Sequence, residues 1–133
     1  MATRHQSRES VISLLYAKDV GNDKIDKFVD EIFEDKKIRN KQKEFAFSLF
    51  EGISENLEKV DEEINKHLKE YKVHELGHIE RAILRLGTYE ILKTDLDNAV
   101  IINEAIELSK DLASDTAPKF INGVLDAIAR EHS

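Results

Sequence analysis

Apolar residues recur every three or four positions along nearly the whole chain, the spacing that lines one face of an α-helix. Val11, Leu14, Leu15 and Lys18 keep this spacing and predict a first helix from about Arg4 to Lys18, which Gly21 and Asn22 break. Ile25, Phe28, Val29, Ile32 and Phe33 form the stripe of a second helix, over about 23–36. A long third segment opens at Asn40, with Ala46, Leu49, Phe50, Ile53, Leu57, Val60, Ile64 and Leu68 on its apolar seam. Gly52 and Ser54 mark a bend or a break into two helices. A loop is expected over 69–77, followed by a helix from His78 to Leu92 that buries Ile79, Ile83, Leu84 and Leu86. After a turn over 95–98, residues 100–129 read as two more amphipathic helices joined by a short polar turn. No segment alternates with the period of a strand. The pattern predicts an all-α fold in a single domain, 1–133.

The closing helix pair carries chemistry besides periodicity. Asn103 stands among apolar residues in IINEAIEL, and Asn122 does so in KFINGVLD. A buried amide needs partners, so these two are expected to lock the helices together by interhelical hydrogen bonds. Gly123 costs about 1 kcal/mol relative to alanine in a helix interior, which predicts close approach of another backbone. Lys119 and Phe120 fall in the first turn of the last helix, where free N–H groups favour anions. A cation, an aromatic ring and a helix N-terminus together make a place for a nucleotide.

Composition narrows the classes. One proline and five glycines in 133 residues are too few for the turns of a β-rich fold. Hydrophobic residues at 41% suffice for one continuous core. Without cysteine, disulfide and thiolate chemistry are excluded. No apolar run is long enough to cross a membrane and no signal peptide is visible, so a soluble cytoplasmic protein is expected. The net charge of −7 argues against general nucleic-acid affinity. Cations are nevertheless local: Arg4, His5 and Arg8 with the amino terminus, then Lys36, Lys37, Arg39, Lys41 and Lys43. Any anion-binding site must be local too, and the second run reads as a solvated loop.

Residues 74–78 read HELGH, a literal match to the H-E-x-x-H zinc-hydrolase motif. There two histidines one helical turn apart bind zinc and the glutamate activates water. Arg81 and Leu84 occupy the positions where the extended pattern needs Gly and His. Gly77 and the preceding loop put His74 ahead of the helix, and no strand is present to bind an extended peptide. A zinc hydrolase through His74-Glu75-Leu76-Gly77-His78 is the minor alternative; an ordinary helix start, with no metal or cofactor, is the main reading.

Stretches at the start, in the middle and at the end of the chain resemble, in order, the NusB family of bacterial transcription antitermination factors. TRHQSRESVISLLYA resembles the family's basic amino-terminal helix with its closing Leu-Tyr pair, here Leu15 and Tyr16. ELGHIERAILRLGTYEI resembles its segment with a glutamate, then A-x-L-R and Y-E-L. VIINEAIELSK and KFINGVLDAIA are similar to its two closing motifs. The resemblance implies about seven helices in two small subdomains packed across each other, with no enzymatic activity. It also implies binding of a boxA RNA element in nascent transcripts, paired with the ribosomal protein NusE. That complex helps RNA polymerase resist termination, particularly on ribosomal RNA operons.

The resemblance also implies roles for residues. Arg4 and Arg8, four apart on one helix face, match phosphate contacts, with His5 beside them. His5 and Gln6 stand where many relatives carry further arginines, which thins the cluster. Lys119 matches a phosphate contact and Phe120 a base contact, with core packing the alternative for Phe120. Asp115 matches a position that shapes RNA affinity by repulsion, the alternative being turn and cap chemistry with Thr116. Tyr16, Glu75 and Glu80 are candidates for the protein partner, where an acidic rim suits a basic ribosomal protein. Asn103, Asn122 and Gly123 are assigned to structure. Two matters stay open: a homodimer, and a stand-alone helical module related to the amino-terminal domain of ribosomal RNA cytosine methyltransferases. The latter would leave no room before Ser133 for a cofactor-binding α/β domain.

Overall fold

Thr3 opens the first helix with a reciprocal cap: its hydroxyl accepts from the Gln6 N–H at 3.1 Å, and Gln6 Oε1 accepts from the Thr3 N–H at 2.9 Å. From this cap α1 runs Arg4–Asp19. The computed structural model describes residues 2–133; Met1, and with it the amino terminus counted in the basic cluster, lies outside the described residues. A single 3-10 turn, Ile25–Lys27, precedes α2, Val29–Asp35. The one helix expected over 23–36 is thus divided at Phe28; Ile25, Val29 and Phe33 still turn inward, and Phe28 stays 44% exposed.

The long third segment is two helices, α3 over Lys41–Glu55 and α4 over Leu57–Asn65. The break comes at Asn56, two residues beyond Ser54. Asn56 donates to the Gly52 carbonyl twice, through its side chain at 2.8 Å and its backbone at 3.1 Å, and so ends α3. A second 3-10 turn, Val73–Glu75, leads into α5, His78–Lys93. Asp97 caps α6, Asn98–Leu112, by accepting from the Ala99 N–H at 2.9 Å. Pro118 stands in the first turn of α7, Ala117–Glu131, where no N–H is required of it. No strand occurs among the described residues.

The helices form two small units packed across each other: α1–α3, and α4–α7. The α5 helix joins them, contacting α1, α3, α4, α6 and α7. Its residues from Arg81 to Thr88 are buried without interruption, which is why its sequence looks apolar on more than one face. Ile12, Leu14, Phe33, Ile53, Ile83, Leu84 and Ile121 belong to one continuous core.

The closing pair packs differently from expectation. Ala105 and Leu108 on α6 are buried, as are Ile121, Leu125 and Ile128 on α7, and α6 and α7 are neighbours. Asn103 and Asn122 are exposed, and neither makes the expected interhelical lock among the described residues. Asn103 stands about 200° around its helix from the buried Ile101, and Asn122 about 100° from Ile121. Gly123 is exposed as well, and a Cβ there would meet nothing within 4 Å. Close helix approach occurs at two other glycines: at Gly87 of α5, where a Cβ would stand 2.8 Å from Leu125 Cδ1 of α7, and at Gly52 of α3, where a Cβ would overlap the Tyr89 hydroxyl of α5.

Candidate nucleic-acid interface

The basic start of α1 separates into one exposed and two engaged groups. Arg4 is exposed, its guanidinium stacked 4.5 Å from the centre of the Phe45 ring on α3. Arg8, one turn later, lies inside. Its Nε and Nη2 donate to the two Glu90 carboxylate oxygens at 3.1 and 2.8 Å. The surface phosphate contact expected of Arg8 is thereby corrected: at 2% exposure it bridges α1 to α5. His5 is half-buried among three carboxylates: Glu9 at 3.1 Å, Glu104 at 3.1 Å and Asp111 at 3.2 Å. The hydrogen bond to Glu104 raises the His5 pKa above its usual value; burial opposes this, and Asp111 and Glu9 reinforce it. His5 therefore ties α1 to α6.

Lys119 and Phe120 lie on the outer side of α7, Phe120 at 36% exposure. The core positions beside it are taken by Ile121, Val124 and Ile128. Lys119, Phe120 and Gly123 line a groove of about 720 Å³ whose other wall is the segment after α4, with Lys69 and the exposed Tyr71. Leu68, Leu76 and Val124 give it an apolar floor. Lys66 on its rim is held by Glu63 at 2.9 Å and Glu131 at 3.7 Å, whereas Lys69 and Lys119 enter no ion pair among the described residues. Asp115 is exposed in the turn between α6 and α7, and Thr116 makes no side-chain cap to α7. In the cationic run, Arg39 pairs with Glu34 at 3.2 Å and Lys43 with Asp30 at 3.3 Å, which lowers its local charge.

The partner candidates gather where α1 ends against the start of α5. Tyr16 is 41% exposed and meets the His78 ring edge-on at 5.8 Å. His78 Nδ1 lies 2.6 Å from Asp19, which also accepts from Arg81 at 2.6 Å. Burial pushes the Asp19 pKa up, but the His78 hydrogen bond and the Arg81 and Arg85 charges outweigh it and hold the carboxyl below its usual range. Glu75 is exposed and accepts from the Lys72 N–H at 2.9 Å; Glu80 is half-buried on the first turn of α5.

The same corner explains HELGH. His74 sits in the 3-10 turn and His78 begins α5, so the two are not on one helix. Arg81 donates to the carbonyls of Val73, His74 and Leu76 at 2.9, 2.7 and 2.9 Å, holding the turn in shape. The described residues bring together two clusters with metal-ligand spacing, one at His5 and one at Glu63, and neither includes His74 or His78. Sequence reasoning named His78 only as a metal ligand and Arg81 only against the zinc pattern, and it missed Asp19; a histidine three residues before a buried arginine at a helix start is a weak signal.

Comparison with known proteins matches this frame. The NusB family profile covers residues 5–130. The chain is 63% identical to the transcription antitermination protein NusB of a Nitratiruptor species, over 98% of this chain and 94% of that protein. It is 60% identical to the corresponding protein of Sulfurimonas denitrificans, over 98% and 99%. Among solved structures, T. maritima NusB is similar at a TM-score of 0.89 and 34% identity, covering 98% of this chain and 92% of that one. A chain from a crystal structure of NusB and NusE in complex with dsRNA is similar at a TM-score of 0.85 and 33% identity, covering 96% of each.

Proposed function

This chain belongs to the NusB family, and on that premise we propose that it is a transcription antitermination factor that binds boxA RNA together with the ribosomal protein NusE. It is a binding protein, not an enzyme. It acts in the cytoplasm within the RNA polymerase antitermination complex, on nascent transcripts of ribosomal RNA operons. The observation that carries this reading is the likeness over the whole chain, in sequence and in fold, to proteins of that name and to a NusB chain crystallised with NusE and RNA.

The local geometry supports a division of labour. Arg4 and Lys119 are the exposed cations that suit phosphates, and Phe120 offers a ring to a base. Asp115, in the turn that leads into α7, tunes affinity by repulsion. His5 and Arg8 act from behind, fixing the helix that carries Arg4. Tyr16, Glu75 and Glu80, with His78, form the corner that suits a basic ribosomal protein. Fluorescence anisotropy with labelled boxA RNA and a scrambled RNA, each with and without NusE, tests the reading. A preference for boxA that tightens with NusE is expected; equal binding of both RNAs with NusE present overturns it.

A further inference from the structure

Two histidines and two glutamates meet where α4 and α7 end. Glu63 lies near the end of α4 and His67 follows four residues later; Glu131 closes α7 and His132 caps it. Their contacts cross between the helices. His67 Nε2 lies 2.7 Å from Glu131 Oε2, and His132 Nε2 is in hydrogen-bond contact with Glu63 Oε1. One ligand atom each from Glu63, Glu131 and His132 falls within 4.8 Å of the others, and His67 joins as a fourth through Glu131. Glu63 is 6% exposed, so one carboxylate of the set is held inside the protein. We propose that these four side chains bind one divalent transition-metal ion of the zinc class, which clips the end of α7 to the end of α4. The site does not depend on the RNA-binding reading above.

The donor set chooses the ion. Imidazole nitrogens combined with carboxylate oxygens suit zinc and its neighbours, whereas magnesium and calcium take oxygen ligands. Donor atoms around a tetrahedral zinc stand about 3.3 Å apart, so the His67–Glu131 pair opens by only about 0.6 Å to admit one. Both helices bring their C-terminal ends here, where carbonyls left without helical partners favour a cation. Lys66 already marks the place: its ammonium lies 2.9 Å from Glu63 and 3.7 Å from Glu131. Its side chain is 56% exposed, so it can swing into solvent as a divalent ion takes over the two carboxylates. The other cluster with metal-ligand spacing, His5 with Glu9 and Asp111, has a single histidine and no fully buried ligand. Arg8, 3.9 Å from the neighbouring Glu104, adds a fixed positive charge beside it.

The test titrates zinc into the full chain, purified without a histidine tag, by calorimetry, and follows the histidine ring nitrogens by NMR. One equivalent is expected to bind, to raise the melting temperature and to shift Nε2 of both His67 and His132. Excess magnesium or calcium should not displace it. His67→Gln and His132→Gln alter partly exposed side chains, and melting of the metal-free variants checks that they fold. Each is expected to weaken zinc binding by at least about 10-fold, since losing a group that merely orients a ligand already costs about 10- to 100-fold. Lys66→Met removes the competing ammonium and should tighten binding by about 1.5- to 5-fold, the range for one exposed ion pair. Zinc affinity unchanged in both histidine variants overturns the assignment, as does loss of binding in His5→Gln or His74→Gln instead. Absence of saturable binding up to about 1 mM zinc overturns it as well.

Discussion

Arg8 on α1 and Glu90 on α5 form a two-pronged ion pair across the junction of the two helical units, with 2% and 1% of each residue exposed. Removing one partner leaves the other charged and buried, which costs about 3–5 kcal/mol. Arg8→Ala is expected to lower stability by that amount in urea unfolding. The slope of RNA affinity against salt should stay that of the wild type under conditions where the variant is folded, because no phosphate contact has been lost. Replacing both residues, as Arg8→Met with Glu90→Leu, should recover most of the stability, since a packed apolar pair avoids the uncompensated charge. A flattened salt slope in Arg8→Ala would return the residue to the RNA surface.

Lys119 should behave in the opposite way. It is exposed and, among the described residues, unpaired, so Lys119→Ala removes little from the fold; a change within about 0.5 kcal/mol is expected for such a surface site. If it contacts a phosphate, boxA affinity falls and the salt slope becomes shallower by roughly 0.7, the contribution of one contact on a single strand. Titrations at three or more salt concentrations give both numbers, and an unchanged slope removes Lys119 from the phosphate path.

Two helical glycines should respond with opposite signs. At Gly87 a new Cβ would press on Leu125, which is fully buried and has little room to yield. The overpacking, about 1–3 kcal/mol, exceeds the helix gain of about 1 kcal/mol, so Gly87→Ala destabilises. At Gly123 the space is open and the helix gain stands alone, so Gly123→Ala stabilises by up to about 1 kcal/mol. Thermal melting of the two variants separates these cases; a destabilised Gly123→Ala would mean that packing, after all, requires the glycine.

These glycines show where the sequence is readable. Period alone places the helices, because Val11, Leu14 and Leu15, or Ile121, Val124 and Ile128, can be buried together only on a helix. The division at Asn56 instead of Gly52 escapes it, since the stopping signal is a side chain folding back on its own turn. Asn103 and Asn122 were legible in principle: counting about 100° per residue from Ile101 and Ile121 turns both away from the core. Arg8 was not, because its partner lies 82 residues away and only tertiary packing brings the two together. Glycine reports that space is needed without saying whether the protein or a ligand fills it. At Gly87 it is the protein.

His5 makes the fold's stability depend on pH in a predictable direction. Its hydrogen bond to Glu104 raises its pKa in the folded state, with burial opposing and Asp111 and Glu9 assisting. Among the described residues, Arg8 Nη1, 3.9 Å from Glu104, is the cation in this group that competes for the same carboxylate. A pKa raised on folding means that protons bind more tightly to the native chain than to the unfolded one. The stabilisation is therefore complete below the unfolded value of about 6.5 and disappears as pH rises through the higher folded value. His5→Gln should cost most stability below the unfolded value of about 6.5 and progressively less as pH rises through the higher folded value. Urea unfolding of wild type and variant across this range gives the difference at each pH. A difference that grows with pH would show that the ring is neutral in the fold, held by its shape alone and not by its charge between α1 and α6.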